Sequence, residues 1–74
     1  MLRYLFLKLL KRELKIKEDL DTHISYLNLK EYTLDALSTH GLLTVKDVLI
    51  AYIKLEHLSG VGKSTWEDFF NNIK

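Results

Sequence analysis

Apolar positions in the first twenty residues recur with a helical period and not with the alternation of a strand. At about 100° per residue, Leu2, Leu5, Phe6, Leu9, Leu10, Ile16 and Leu20 share one side, with Leu7 and Leu14 widening its edge. Lys8, Lys11, Arg12, Lys15 and Glu18 take the other side, with Tyr4 among them, while Glu13 lands inside the apolar side. The pattern predicts one amphipathic helix over 2–20. Asp19-Leu-Asp-Thr22 then breaks the period and supplies turn and capping chemistry. After an apolar connector (Ile24, Leu27, Leu29), a second helix is predicted from about Lys30 to Thr39, with Tyr32 or Thr33, Leu34 and Leu37 turned inward. Gly41 ends it, and His40 sits in its last turn, where the negative dipole end favours it. Thr44 is a good N-cap for a third helix, Val45 to about Tyr52, and Asp47 can close a capping box. A fourth, short helix is expected to end near Leu58, followed by a tight turn over Ser59–Gly62 and a last helix from Lys63 to the C-terminus. Trp66, Phe69, Phe70 and Ile73 follow the spacing of one buried face.

These elements predict an all-α fold: a compact helical domain containing a helix-hairpin-helix, residues 22–74, preceded by an added basic amphipathic helix within residues 1–21. A chain of 74 residues makes one domain with a small core. Its 47% apolar and 28% charged residues suit a folded chain and not a disordered one. The absence of proline agrees with nearly continuous helix. With no cysteine, neither a disulfide nor a thiolate zinc site can staple it. Arg3 and Lys8 interrupt the apolar N-terminal run, which argues against a secretory leader or a membrane span and makes a cytoplasmic location the expectation.

Charge changes the picture more than composition does. The net charge is +1, but residues 1–17 carry six basic side chains against one acid, a net of +5. Residues 18–74 carry five against nine, a net of −4. The glycine-flanked turn therefore lies in the acidic part. Gly60 and Gly62 suit a sharp bend, and Lys63, Ser64 and Thr65 open the next helix, where unpaired N–H groups favour an anion. That makes these five residues a candidate phosphate grip. The surrounding acidity is the wrong sign for nucleic acid, so the basic face of the first helix (Lys8, Lys11, Arg12, Lys15) would have to supply the attraction.

Other constellations fall short of chemistry. Gly62-Lys-Ser-Thr65 imitates the end of a nucleotide-binding P-loop, but His57 stands where that loop needs its first glycine. His23, His40 and His57 are 17 residues apart and have no i, i+4 partners, so they read as exposed or capping side chains and imply no metal. Glu67 and Asp68 are adjacent and point about 100° apart, which reads as a solvated face. Trp66 reads as core. No nucleophile has a base that the sequence places beside it, so neither an enzyme nor a cofactor is expected.

Four runs carry a family resemblance: Leu27-Asn-Leu29, Tyr32-Thr-Leu-Asp-Ala-Leu37, Gly41-Leu-Leu-Thr-Val-Lys-Asp-Val-Leu49 and Gly62-Lys-Ser-Thr-Trp-Glu-Asp-Phe69. In order and spacing they resemble the C-terminal domain of the bacterial RNA polymerase alpha subunit, whose third run reads Gly-Ile-x-Thr-Val-x-Asp-Leu-Leu. The resemblance implies a compact helical unit that binds the DNA minor groove and touches transcription activators. Carried over by position, the turn contacts would be Gly62, Ser64 and Thr65, with Lys63 nearby. Where that family has its groove-entering arginine this chain has Tyr32, and where it has an asparagine this chain has Asp35. A carboxylate there repels phosphate, so fold transfers better than DNA contact.

Two functional classes follow. One is a transcription-linked nucleic-acid module using the turn and the basic helix. The other is a protein-interaction module that binds RNA polymerase or a transcription regulator, or forms a homodimer through helix 1, with Tyr32, Asp35, Leu2, Phe6 and Leu9 as contacts.

Overall fold

The computed structural model describes residues 2–54 and 57–74, side chains included except for those of residues 2–4. It is all-α: helices α1 (Leu2–Glu13), α2 (Glu31–Thr39), α3 (Val45–Ile53) and α4 (Lys63–Ile73), with a 3₁₀ turn at Ile24–Tyr26. Among the described residues there is no strand, only an isolated antiparallel bridge between His23 and Thr44. No helix among them is long and apolar enough to cross a membrane.

The first helix stops seven residues earlier than its apolar period predicts. Lys15 takes a left-handed φ of 57°, the Lys15 N–H donates to the Arg12 carbonyl, and the Ile16 N–H reaches the Lys11 carbonyl at 2.9 Å. This is a Schellman cap closed by a lysine instead of the usual glycine. The exit has a clear use. Ile16 and Leu20 leave the helix and enter the core, 5% exposed each. On the way, the N–H groups of Lys17 and Glu18 donate to the Ile73 carbonyl at 2.8 and 3.2 Å, satisfying an orphan acceptor at the end of α4. The connector goes on to pair Leu20, Thr22 and Ile24 with Lys46, Val45 and Leu43 ahead of and within the first turn of α3.

The middle of the chain follows its sequence signals closely. At the end of α2, Gly41 takes φ 73° while its own N–H and that of Leu42 close back on Ser38 and Leu37. Thr44 and Asp47 form the reciprocal capping box at the start of α3, and the Leu43 N–H donates to the same Asp47 carboxylate. Of the fourth, short helix, Leu55 and Glu56 lie outside the described residues, and His57 and Leu58 are not helical. In the turn that follows, the Val61 N–H donates to Leu58 across Gly60 at φ 81°, the positive φ of a type II turn. Gly62 is extended and acts as N-cap of α4.

Val45, Val48 and Leu49 of α3, Leu37 of α2, Phe69 and Ile73 of α4 and Leu7 of α1 meet in one core with Ile16, Leu20, Ile24 and Leu27. The first helix therefore folds back on the domain. A Cα radius of gyration of 11.4 Å agrees, since a compact chain of this length is expected near 11 Å. On α2 it is Thr33 and not Tyr32 that turns inward: Thr33 is fully buried, Tyr32 49% exposed. Among the described residues the Thr33 hydroxyl has no hydrogen-bond partner. A buried, unpaired hydroxyl costs desolvation free energy that an apolar group of the same shape does not. Thr33→Val is therefore expected to stabilise the domain by about 1 kcal/mol and raise its Tm by roughly 4–8 °C. A thermal melt showing a lower Tm would mean that the hydroxyl is paired in solution.

On α4 the fully buried side chains are Phe69 and Ile73 of the expected stripe, joined by Thr65. Trp66 and Phe70 are half-buried and pack sideways against Tyr52 of α3, at ring-centroid distances of 5.1 and 4.8 Å. Asp68 is not a free surface acid. Its carboxylate accepts the Lys30 N–H at 2.9 Å, at the N-cap of α2, and Asn72 Nδ2 at 3.2 Å, clipping α4 to α2. An anion at that helix start is favoured by both the orphan N–H groups and the dipole.

Candidate functional site

Two surfaces carry the residues that the sequence singles out. The first is the start of α4. Gly62 supplies no capping side chain, and among the described residues the N–H groups of Gly62, Lys63, Ser64 and Thr65 have no acceptor. Ser64 and Lys63 are exposed beside them, whereas the Thr65 side chain is buried and only its N–H can face outward. Lys63 lies 3.9 Å from Glu67 one turn on, an exposed pair worth little. The turn itself is tethered: His40 Nε2 donates to the Ser59 carbonyl at 2.7 Å, joining the end of α2 to the loop. His23 is a cap, its Nδ1 accepting the Ser25 N–H, and His57 is exposed.

The end of the lysine-rich segment is tied to the far end of α4. Lys17 is bonded to the last residue of α4, and α4 is 11 residues long. At 1.5 Å per residue, that puts the C-terminal end of the lysine-bearing segment roughly 16 Å from the open N–H groups. Lys8 and Lys11 instead border a hollow shared with Asp19 and Leu20. Arg12 and Lys15 are exposed. The structure thus sets Lys17 and the open N–H groups at opposite ends of α4.

The second surface is α1 itself. Leu7 is 2% exposed and anchors the helix, with Leu10 and Leu14 half-buried. Leu5 and Leu9 lie on the other side of the wheel, 62 and 55% exposed, and Phe6, about 100° from Leu7, is 50% exposed. The apolar arc is wider than the core can cover, and its outer part faces water. Glu13, one turn beyond Leu9, is exposed with it. That acid inside the apolar side was the signal that this side faces out. Phe6 also borders a cavity of about 100 Å³ between α1 and α3, lined by Phe6, Leu7, Ile50, Ile53 and Lys54. Leu5 was missed as a contact although it lies four residues before Leu9. Ile50, Ile53 and Lys54 carry no sequence signal for this role, because only packing brings them to α1.

Of the other expected contacts, Tyr32 and Asp35 are exposed on α2 and do not line this groove. Leu2 lies in α1, but its side chain is outside those described. Among the described residues no group of three His, Cys, Asp or Glu is placed to hold a metal ion. No protein-family model, no curated protein and no solved structure matches this chain. Its own geometry therefore has to carry the functional reading.

Proposed function

We propose that this domain is a small, non-enzymatic, cytoplasmic interaction module that binds another protein through α1 and the groove between α1 and α3. The observation that supports this reading is the contiguous exposure of Leu5, Phe6 and Leu9 on a helix already held by Leu7. Covering apolar surface gains about 25 cal/mol per Å², and exposed apolar patches of this kind mark interaction sites. The resemblance to the alpha-subunit domain makes a transcription-linked partner, RNA polymerase or a regulator, the natural candidate.

A Leu5→Glu/Leu9→Glu double variant is expected to change folding stability by no more than about 0.5 kcal/mol per site. It should also lose the partners that the wild-type chain recovers from its host's extract, identified by mass spectrometry. Recovery of the same partners by the variant would refute the reading.

Nucleic-acid binding is the second reading, favoured by the open N–H groups at Gly62–Thr65. In that case duplex DNA should bind with an affinity that falls steeply with salt and is reduced by Lys63→Glu. It takes second place because those donors lie in the acidic part of the chain, with Glu67 beside Lys63.

A further inference from the structure

We propose that the occupant of the α1/α3 groove is an acid-rimmed amphipathic helix of a partner protein, seating one aliphatic side chain beside Phe6 and Ile53. The proposal deepens the interaction reading above and rests on it. The cavity, about 100 Å³ and lined by Phe6, Leu7, Ile50, Ile53 and Lys54, is the right scale for a single side chain. A dry cavity of about 150 Å³ takes one benzene. Leu5 and Leu9 continue the apolar floor along α1, whose 12 residues give it a length of about 18 Å, three turns of a docked helix. A knob in a pocket with an apolar strip beside it is how a helix docks in a groove.

Charge selects among occupants. Exposed Lys54 stands at the α3 side of the pocket, and exposed Arg12 follows Leu9 by three residues on the outer edge of α1. From Leu2 to Arg12 the helix contains no acid, and Glu13 is its only one. Carboxylates flanking the apolar stripe of a partner would therefore meet cations on both rims. A second copy docking through α1 would instead bring Arg12 and its neighbours against their own kind, within the Debye length of about 8 Å at physiological salt. A flat bilayer surface would leave the concave pocket unfilled.

The test is an NMR titration of the full chain with designed helical peptides of about 16 residues. One carries leucines on a single face with glutamates flanking them, and the other has lysines in place of the glutamates. The glutamate peptide is expected to shift the amides of Phe6, Leu9, Ile50 and Ile53, and the lysine peptide to bind about tenfold more weakly or worse. Lys54→Glu, at an exposed site that leaves the fold intact, should narrow or reverse that preference.

Equal binding of both peptides, or shifts elsewhere on the domain, would overturn the proposal. Binding to phosphatidylglycerol vesicles without binding to either peptide would overturn it in favour of a lipid surface. A dimer in light scattering that Leu9→Glu dissociates would also overturn it, yet leave the interaction reading standing with a second copy as partner. A monomer that none of these probes shifts, and whose extract partners survive Leu5→Glu/Leu9→Glu, would remove both.

Discussion

Phe69→Ala is expected to cost about 3–5 kcal/mol, the usual range for deleting a fully buried phenyl ring. Phe69 has no exposed surface and is the largest fully buried side chain among those described. It sits on α4 in the cluster formed with Leu37, Val48, Leu49 and Ile73. A 74-residue domain has roughly 4–11 kcal/mol of total stability, so this one change removes a large share of it. The thermal midpoint, followed by circular dichroism, should fall by at least about 12 °C. Phe70→Ala should cost less, because Phe70 is only half-buried, at the edge of the core between Phe69, Tyr52 and Trp66. A loss for Phe69→Ala no greater than for Phe70→Ala would contradict the assignment of the buried face of α4.

The second large effect is expected at Leu7, and it separates the two sides of α1. Leu7 is the one fully buried position described on that helix, so Leu7→Ala should cost about 2–5 kcal/mol. Leu9→Ala, at a site 55% exposed, should change stability by only about 0.5 kcal/mol. A 12-residue helix is marginal in water without tertiary contacts. Loss of the Leu7 anchor should therefore show first as faster hydrogen exchange across α1, ahead of the amides of α3. Partner binding should weaken with it, since the exposed strip then has no fixed position. Equal destabilisation by the two substitutions would mean that α1 has no preferred buried side.

The short-range signals translated directly into structure. Gly41 needed a left-handed φ to close α2, and Thr44 with Asp47 could cap only a helix that starts at Val45. Both motifs span a few residues, so their physics is complete within the local sequence. Where the reading over 2–20 missed, a local preference lost to packing. Lys15 accepts a left-handed conformation so that Ile16 and Leu20 can reach the core. Once those two leave the helix, the arc they helped define no longer points at the core, and Leu7 takes its place. On α4, Phe69 and Ile73 are buried as their spacing predicts, and only packing brings Thr65 in with them while Trp66 and Phe70 lie at the edge of the core against Tyr52.

The candidate surfaces divide along the same line. Open N–H groups after Gly62 are a local property of a helix start without a capping side chain, and they were legible in advance. That Lys17 lies at the far end of α4 from those donors was not. That separation depends on the Lys17 and Glu18 hydrogen bonds to Ile73, between residues more than fifty positions apart.

By itself the sequence determined the helical class, the caps at Gly41 and Thr44, the turn at Gly60 and the presence of more apolar surface on α1 than one small core can use. Only the tertiary structure decided which leucines stay wet, that a pocket opens between Phe6 and Ile53, and that Asp68 serves as a clip for α2. The physical reason is range: hydrogen-bonded caps and helical periods act over three to four residues. Burial, by contrast, is a property of every element packed together, and no single segment can fix which of its faces will find cover.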